Sequence, residues 1–280
     1  MSTETQVGRF RIRALRESNF SLDGGSMFGV VPRALWENLT PVFEDHTIPL
    51  ACNCFLVEDG EHVLLIEPGL GQRWSEKHQA MYRIEHPGGG LLQVLEAAGR
   101  RAEEVTHVLM SHAHFDHIGA ACGGDGAPLF PNAHYFLADS ERKAALNADH
   151  LRQASYRKKD LQPIVDAGLL DTFSGELEVV PGVTLHELGG HSDGASVVVI
   201  DDDGQRACFW GDVVPTRNHV ALPFIMAYDI NVEKSFQVRS KWIAEATDGD
   251  WVNLLFHDPE HPIVRFTHEG SRYGWVSLGE

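Results

Sequence analysis

Apolar and polar positions fall into short alternating or clustered runs, punctuated by turn residues. NCFLVEDGEHVLLIEPG, residues 53–69, reads as two strands around an Asp59-Gly60 turn. LLQVLEAAGR sets Leu91, Leu92, Leu95 and Ala98 at helical spacing, with Gly99 as the stop. EEVTHVLMSH predicts a strand running into a histidine cluster, and HYFLAD a further short strand. Asp139 or Ser140 is then expected to cap the helix ERKAALN. Residues 151–168, LRQASYRKKDLQPIVDAG, form a basic stretch of helical pattern, with Pro163 expected to kink or break it. Strands are expected at 176–180, 183–188, 196–201 and 206–210, separated by Pro181-Gly182, Gly189-Gly190 and Asp203-Gly204. A helix over about 232–247 and strands in WVNLLF, IVRF and YGWVSL complete the chain. Interleaved strands and helices, with hairpins early and late, predict an α/β (α+β) layered fold with helices outside a mixed sheet core.

Composition narrows the class. The 280 residues are 43% hydrophobic and 22% charged, the make-up of an ordinary globular chain. Lys and Arg number 23 against 40 Asp and Glu, a formal charge of −17, which repels phosphate backbones and argues against a nucleic-acid partner. No apolar run approaches the roughly 20 residues of a membrane span. MSTETQVGRFRIRALRES has no apolar signal core, so a cytoplasmic location is expected. Cys52, Cys54, Cys122 and Cys208 are then expected as buried, reduced thiols.

The candidate chemistry sits in SHAHFDHIG, residues 111–119. His112, His114, Asp116 and His117 are crowded where a strand ends and a helix begins. Zinc takes imidazole nitrogen and carboxylate oxygen, usually four ligands per ion. Neighbours so close in sequence diverge in direction, so the cluster suits two adjacent ions, each with further ligands from distant segments. A His or Asp at a strand end beside Gly meets that need at His191 in LGGHSDG and Asp212 in CFWGDVV. His257 in NLLFHDPEH also ends a strand, with His261 as a near competitor and Asp258 as its expected hydrogen-bond partner. The other histidines, His46, His62 and His78 among them, read as surface or core residues.

HAHFDH, then GGHSDG, then GD after an apolar strand, then FHD resemble the metallo-β-lactamase superfamily in content and order. The resemblance spans about residues 50–260. It implies a four-layer αββα sandwich of two mixed sheets flanked by helices, as a single domain over 1–280. Residues 1–48 would be an extension lining the pocket or a dimer interface. It also implies that His112, His114 and His191 hold one divalent metal and that Asp116, His117 and His257 hold a second, with Asp212 bridging. Zinc is the expected metal, with manganese, cobalt or iron as alternatives. A bridging hydroxide is the implied nucleophile, and Asp116 an implied proton carrier. One departure stands out: the strand before PGLG, which ends in Asp in the family, ends here in Glu67.

GDVVPTRNHVALPFIMAYD and DGGSMFGVVPRALWE resemble the branch that opens N-acyl-homoserine lactones or cleaves organophosphates. The implied function is lactone or ester hydrolysis of a small molecule. Phosphotriester hydrolysis on the same site, or an oxidative enzyme with a single iron resembling sulfur dioxygenases, are the alternatives. The lactonase tyrosine three residues past the bridging Asp is replaced by Pro215. Met27, Phe28, His219, Phe224 and Tyr228 are the candidate substrate contacts. The apolar loops that carry them suit a pocket wall or a homodimer interface equally. The basic residues from Arg152 to Lys159 read as a solvated face.

Overall fold

A computed structural model describes residues 3–278; the first two and last two positions of the domain expected over 1–280 lie outside the described residues. Its first sheet contains β1 (Glu4–Val7), β2 (Phe10–Asp23), β3 (Thr47–Glu58), β4 (Val63–Ile66), β5 (His107–Leu109), β6 (His134–Ala138) and β7 (Leu170–Phe173), side by side in chain order. The second contains β8 (Glu176–Val180), β9 (Val183–Glu187), β10 (Ser196–Asp202), β11 (Gln205–Phe209), β12 (Val252–Leu254), β13 (Ile263–Glu269) and β14 (Arg272–Ser277), also in chain order. Both are mixed. β4 to β7 pair in parallel, as do β11 and β12, and the other pairs are antiparallel. Helices flank the two sheets, giving the sandwich that the sequence resemblance implies.

The sheets close on an aromatic and aliphatic core. Phe55 of β3 meets Phe209 of β11 edge-on, with ring centroids 5.6 Å apart. Residues 50–58 of β3 are buried without alternation, as a strand covered on both faces requires. Behind the second sheet, Ile243 and Ala246 of the helix Val232–Asp248 pack with Val197, Val199 and Leu255. Asn231 caps that helix by accepting from the Lys234 N–H at 3.0 Å. All four cysteines are free and buried, and burial pushes their thiols up, which leaves them unreactive.

Two expectations are corrected, and two strands are found that the pattern did not show. The N-terminal segment supplies β1 and β2, and β2 pairs with β3 from Arg11↔Glu58 to Asp23↔Thr47. A bulge between Arg16 and Ser18 resets the inward phase of β2, which hid its alternation. Asp139 is the first residue of the helix Asp139–Leu146 rather than its cap; its carboxylate binds Arg142 and Lys143, and the Ser140 hydroxyl goes to Glu187. The basic segment is helical only over Lys158–Asp166, and Pro163 lies inside without ending it. Proline cannot donate to the carbonyl of Lys159 four residues back, and the Arg73 guanidinium takes that carbonyl instead, at 3.4 Å.

Candidate metal centre

Strand ends from both sheets converge at one edge of the sandwich. His112 and His114 lie in the loop after β5, and Asp116 and His117 in the helical turn Phe115–Ile118. His191 follows β9, Asp212 sits in the turn Gly211–Val213 after β11, and His257 follows β12. The structure brings these residues into two groups whose ligand atoms lie within 4.8 Å of one another: His112, His114, His191 and Asp212, then Asp116, His117 and His257. His261 belongs to neither group.

Asp212 stands between them. One carboxylate oxygen is 3.2 Å from His191 Nε2 and 4.0 Å from His112 Nε2. The other is 3.3 Å from His117 Nε2 and 3.1 Å from His257 Nε2. His112 Nε2 and Asp212 Oδ1 are buried without a hydrogen-bond partner, a costly state for polar atoms unless something else occupies them. The outer ring nitrogens are tied down. His191 Nδ1 meets the Asp229 carboxylate at 2.9 Å, and His257 Nδ1 meets the Ala51 carbonyl at 2.8 Å. An acceptor there requires Nδ1 to carry the hydrogen, so Nε2 is the ring nitrogen that faces the centre and could ligate an ion. His112 and His114 are held well below the ordinary imidazole range by burial and then by their histidine neighbours, which keeps them neutral. Asp212 is buried, yet His257, His117 and His191 hold its carboxyl well below the usual carboxylate range. His117 and His191 go the other way: burial opposes their charge, but the Asp212 carboxylate outweighs it and pushes both up, so an arriving cation would take the place of their protons. Imidazoles around a shared carboxylate are the donor set that divalent zinc and its neighbours take, so the residues fit the expected ions.

The expected partnership of Asp258 with His257 is not formed. Asp258 accepts from the Arg217 backbone N–H at 2.9 Å and pairs with its guanidinium at 2.6 Å, and the Ala51 carbonyl takes its place. Glu67 keeps a supporting position through a shifted backbone. Its φ is +60°, and the carboxylate turns inward to accept from Ser111 N–H at 2.6 Å and to lie 3.6 Å from His117 Nδ1.

Sequence reasoning missed Glu141, which is fully buried on the helix Asp139–Leu146. One of its oxygens accepts from the Ala113 N–H at 3.0 Å and the Tyr156 hydroxyl at 2.8 Å. The other accepts from the Ser192 hydroxyl at 2.7 Å and the Gly194 N–H at 2.9 Å. A single carboxylate thus braces the His112–His114 loop against the His191 loop. An acid on a helix that otherwise reads as solvated gives no sequence signal of that role.

Above the centre lies a cavity of about 170 Å³. His114, Asp116, His191, Asp212 and His257 reach it, and Leu22, Met27, Tyr82, Phe115 and Tyr228 wall it. Phe28, His219 and Phe224 do not line it. His219 is fully occupied, with Nδ1 at 2.7 Å from the Thr216 hydroxyl and Nε2 at 2.8 Å from the Met27 carbonyl. Phe28 stacks between His219 and Trp36, and Phe224 meets Phe28 edge-on. These three rings support the wall from behind. Pro215, where the tyrosine was sought, offers only its carbonyl, which accepts from the His257 N–H at 2.9 Å.

With this geometry in view, residues 47–257 match the family model of the metallo-beta-lactamase superfamily. The chain belongs to the metallo-beta-lactamase superfamily. It is an enzyme of the metallo-hydrolase kind. A relative from Mycobacterium tuberculosis, named probable metallo-hydrolase Rv2300c, is 26% identical over 275 residues, covering 84% of this chain and 85% of the relative. An N-acyl homoserine lactonase of Bacillus thuringiensis is 26% identical over 160 residues, 54% of this chain and 58% of that protein. The crystal structure of a probable metal-dependent hydrolase from Staphylococcus aureus superposes with a TM-score of 0.91 at 26% identity, over 99% of both chains. AidC, described as a dizinc quorum-quenching lactonase, shares the fold with a TM-score of 0.81 at 20% identity, over 99% of this chain and 97% of that one. No helix among the described residues is long and apolar enough to cross a membrane.

Proposed function

We propose that this protein is a binuclear-metal hydrolase that opens a lactone or cleaves a carboxylic ester. The observation that carries the reading is Asp212, whose two oxygens face two separate histidine groups. His112, His114 and His191 would hold one ion, Asp116, His117 and His257 the other, and Asp212 would join them. When bound, such a pair supplies Lewis acidity and lowers the pKa of a water to about 7. The chain's own residues do the rest. Asp229 and the Ala51 carbonyl fix the rings of His191 and His257, and Glu141 and Glu67 fix the loops that carry the other ligands. Asp116 lies 3.4 Å from His257 Nε2 and opens onto the cavity, where its carboxylate would accept the proton given up by the attacking water and pass it to the leaving alkoxide. Burial pushes the Tyr228 hydroxyl up to about 12, so it remains an O–H donor at working pH and is placed to bind an acyl oxygen. Met27, Leu22 and Phe115 exclude water from the reacting group.

The chain acts as one domain in this reading, located in the cytoplasm, with zinc as the metal. The exposed apolar side chains Val30, at 91%, and Leu35, at 61%, mark the face that a second copy would cover, and light scattering reads the oligomer directly. Elemental analysis joined to a panel of lactones, aryl esters and phosphotriesters tests the function. Two divalent ions per chain with lactone or ester turnover is the expected result. A single iron, or a flat response to the lactones and esters, overturns it; turnover confined to phosphotriesters reassigns the substrate.

A further inference from the structure

A second cavity, of about 340 Å³, opens beside the metal cavity. Tyr82, Phe115 and Ala154 line both, so the two share a wall. Its other lining residues include Arg73, Arg157, Lys159 and Trp74, and none of the described residues lining it is acidic. In a chain of net charge −17, three cations around one hollow are a local reversal of sign.

Those cations are built in. The Arg157 guanidinium lies 4.0 Å over the Trp74 ring. Asp160, fully buried behind the hollow, takes Arg157 Nε and one Arg73 nitrogen, each at 2.5 Å. Lys159 Nζ and Arg157 Nη1 both reach the Arg73 carbonyl, at 3.4 and 3.5 Å. Pro163 frees the Lys159 carbonyl that anchors Arg73, so the break in the helix ladder itself fixes a cation. One carboxylate offsets one of three charges, and Arg157 Nη2 and Arg73 Nε are buried with no partner. Burial pulls the Arg157 pKa down against the pull of Asp160, and burial with the neighbouring Arg157 lowers Lys159. Arg157 is therefore part of a cavity wall, while Lys158 and Lys159 stay exposed, as the composition of the segment suggested.

We propose that this hollow is an anion subsite: it takes a carboxylate or phosphate group at the non-reacting end of the substrate, while the ester or lactone sits over the metal centre. This rests on the hydrolase reading above, and it narrows the substrate class to acidic esters or lactones. Arg157 supplies a planar fork over Trp74, Arg73 a second fork, and Lys159 a mobile charge at the rim. Phe115 and Tyr82 carry the apolar spacer between the two ends.

The test uses metal-loaded protein and two 4-nitrophenyl esters of matched length, the neutral pentanoate and the glutarate monoester. The glutarate ester is expected to show a kcat/KM about tenfold higher, a modest share of what a partly desolvated charge pair supplies. Lys159→Gln, at the accessible rim, and Arg157→Gln should each lower that ratio severalfold, and so should high salt. A ratio of one in the wild type, or a ratio that neither variant moves, overturns the subsite. Tryptophan fluorescence titrated with glutarate, and separately with inorganic phosphate, reads binding without turnover and tells the two anions apart. If neither ester is cleaved, the hydrolase reading fails, while anion binding weakened by Lys159→Gln still supports the hollow. Binding that both variants leave unchanged, or that vanishes only on metal removal, places the anion on the metals and overturns the proposal.

Discussion

Replacing Glu141 by glutamine keeps the shape of the side chain and changes one oxygen into an NH2 donor. Either orientation of the amide creates the same conflict. Turned one way, the NH2 faces the Ala113 N–H and the Tyr156 hydroxyl; turned the other, it faces the Gly194 N–H and the Ser192 hydroxyl. A hydroxyl can rotate and accept, but a backbone N–H cannot, so one buried N–H is orphaned in both cases. That alone costs about 1–3 kcal/mol. Glu141→Ala orphans both N–H groups and leaves a void, for a loss of about 3–6 kcal/mol. The loops carrying His112, His114 and His191 also lose their shared brace, and metal affinity should fall by about 10–100-fold, as for other groups that orient ligands. Urea denaturation of metal-stripped protein isolates the first effect, and competition titration with a chromophoric chelator reads the second. A Glu141→Gln protein within about 0.5 kcal/mol of wild type, binding metal equally well, would refute the claim that this carboxylate braces the site.

Glu67→Asp should be more damaging than Glu67→Gln, because the carboxylate retracts by about 1.5 Å from a bond to Ser111 N–H that is 2.6 Å long. Equal stability of the two variants in chemical denaturation would show that the left-handed backbone at 67 is free to follow. Asp212→Ala should leave fewer than two metals per chain in elemental analysis, with turnover reduced to background; two retained metals would show that the groups do not need their common carboxylate. Tyr228→Phe should lower kcat/KM by about tenfold on neutral esters, and an unchanged value would remove the tyrosine from the acyl site. His219 is held down to about 4 by burial, below the ordinary imidazole value of about 6.5. The unfolded chain therefore binds the proton first, and stability is lost as pH falls from about 6.5 through 4. That amounts to about 3 kcal/mol at most. His219→Asn should make stability fall less steeply across that window, the remainder coming from buried His112 and His114, and an unaltered slope would show that His219 carries none of it.

The residues of the candidate metal centre could be picked out in the sequence because metal chemistry restricts both residue type and position. His112, His114, Asp116 and His117 are too dense to be incidental, and His191, Asp212 and His257 each end a strand. Local pattern also located most strands of the second sheet, whose turns carry glycine or proline. What stayed hidden depends on distant partners. β2 lost its alternation at a bulge, and Glu141 looks like any helix-surface acid until the loops fold over it. His219 and Phe28 have the composition of a binding loop, yet each is satisfied by the other and by the backbone. Arg157 looked solvated because helical periodicity says nothing about what Trp74 and Asp160 bring to it.

Each sheet is assembled from one contiguous half of the chain, with strands in their order of synthesis. Such a topology relies on near neighbours and allows the first sheet to zip up while the second is still being made. At that moment His112, His114, Asp116 and His117 exist, but the loops after β9, β11 and β12 do not. At that stage the chain would carry only part of the candidate chelate, which is completed when His191, Asp212 and His257 fold in. Ions held by both groups would then clasp an early-folding half to a late-folding one, so that their binding also ties the two sheets together. A chain truncated before residue 257 should hold metal more loosely.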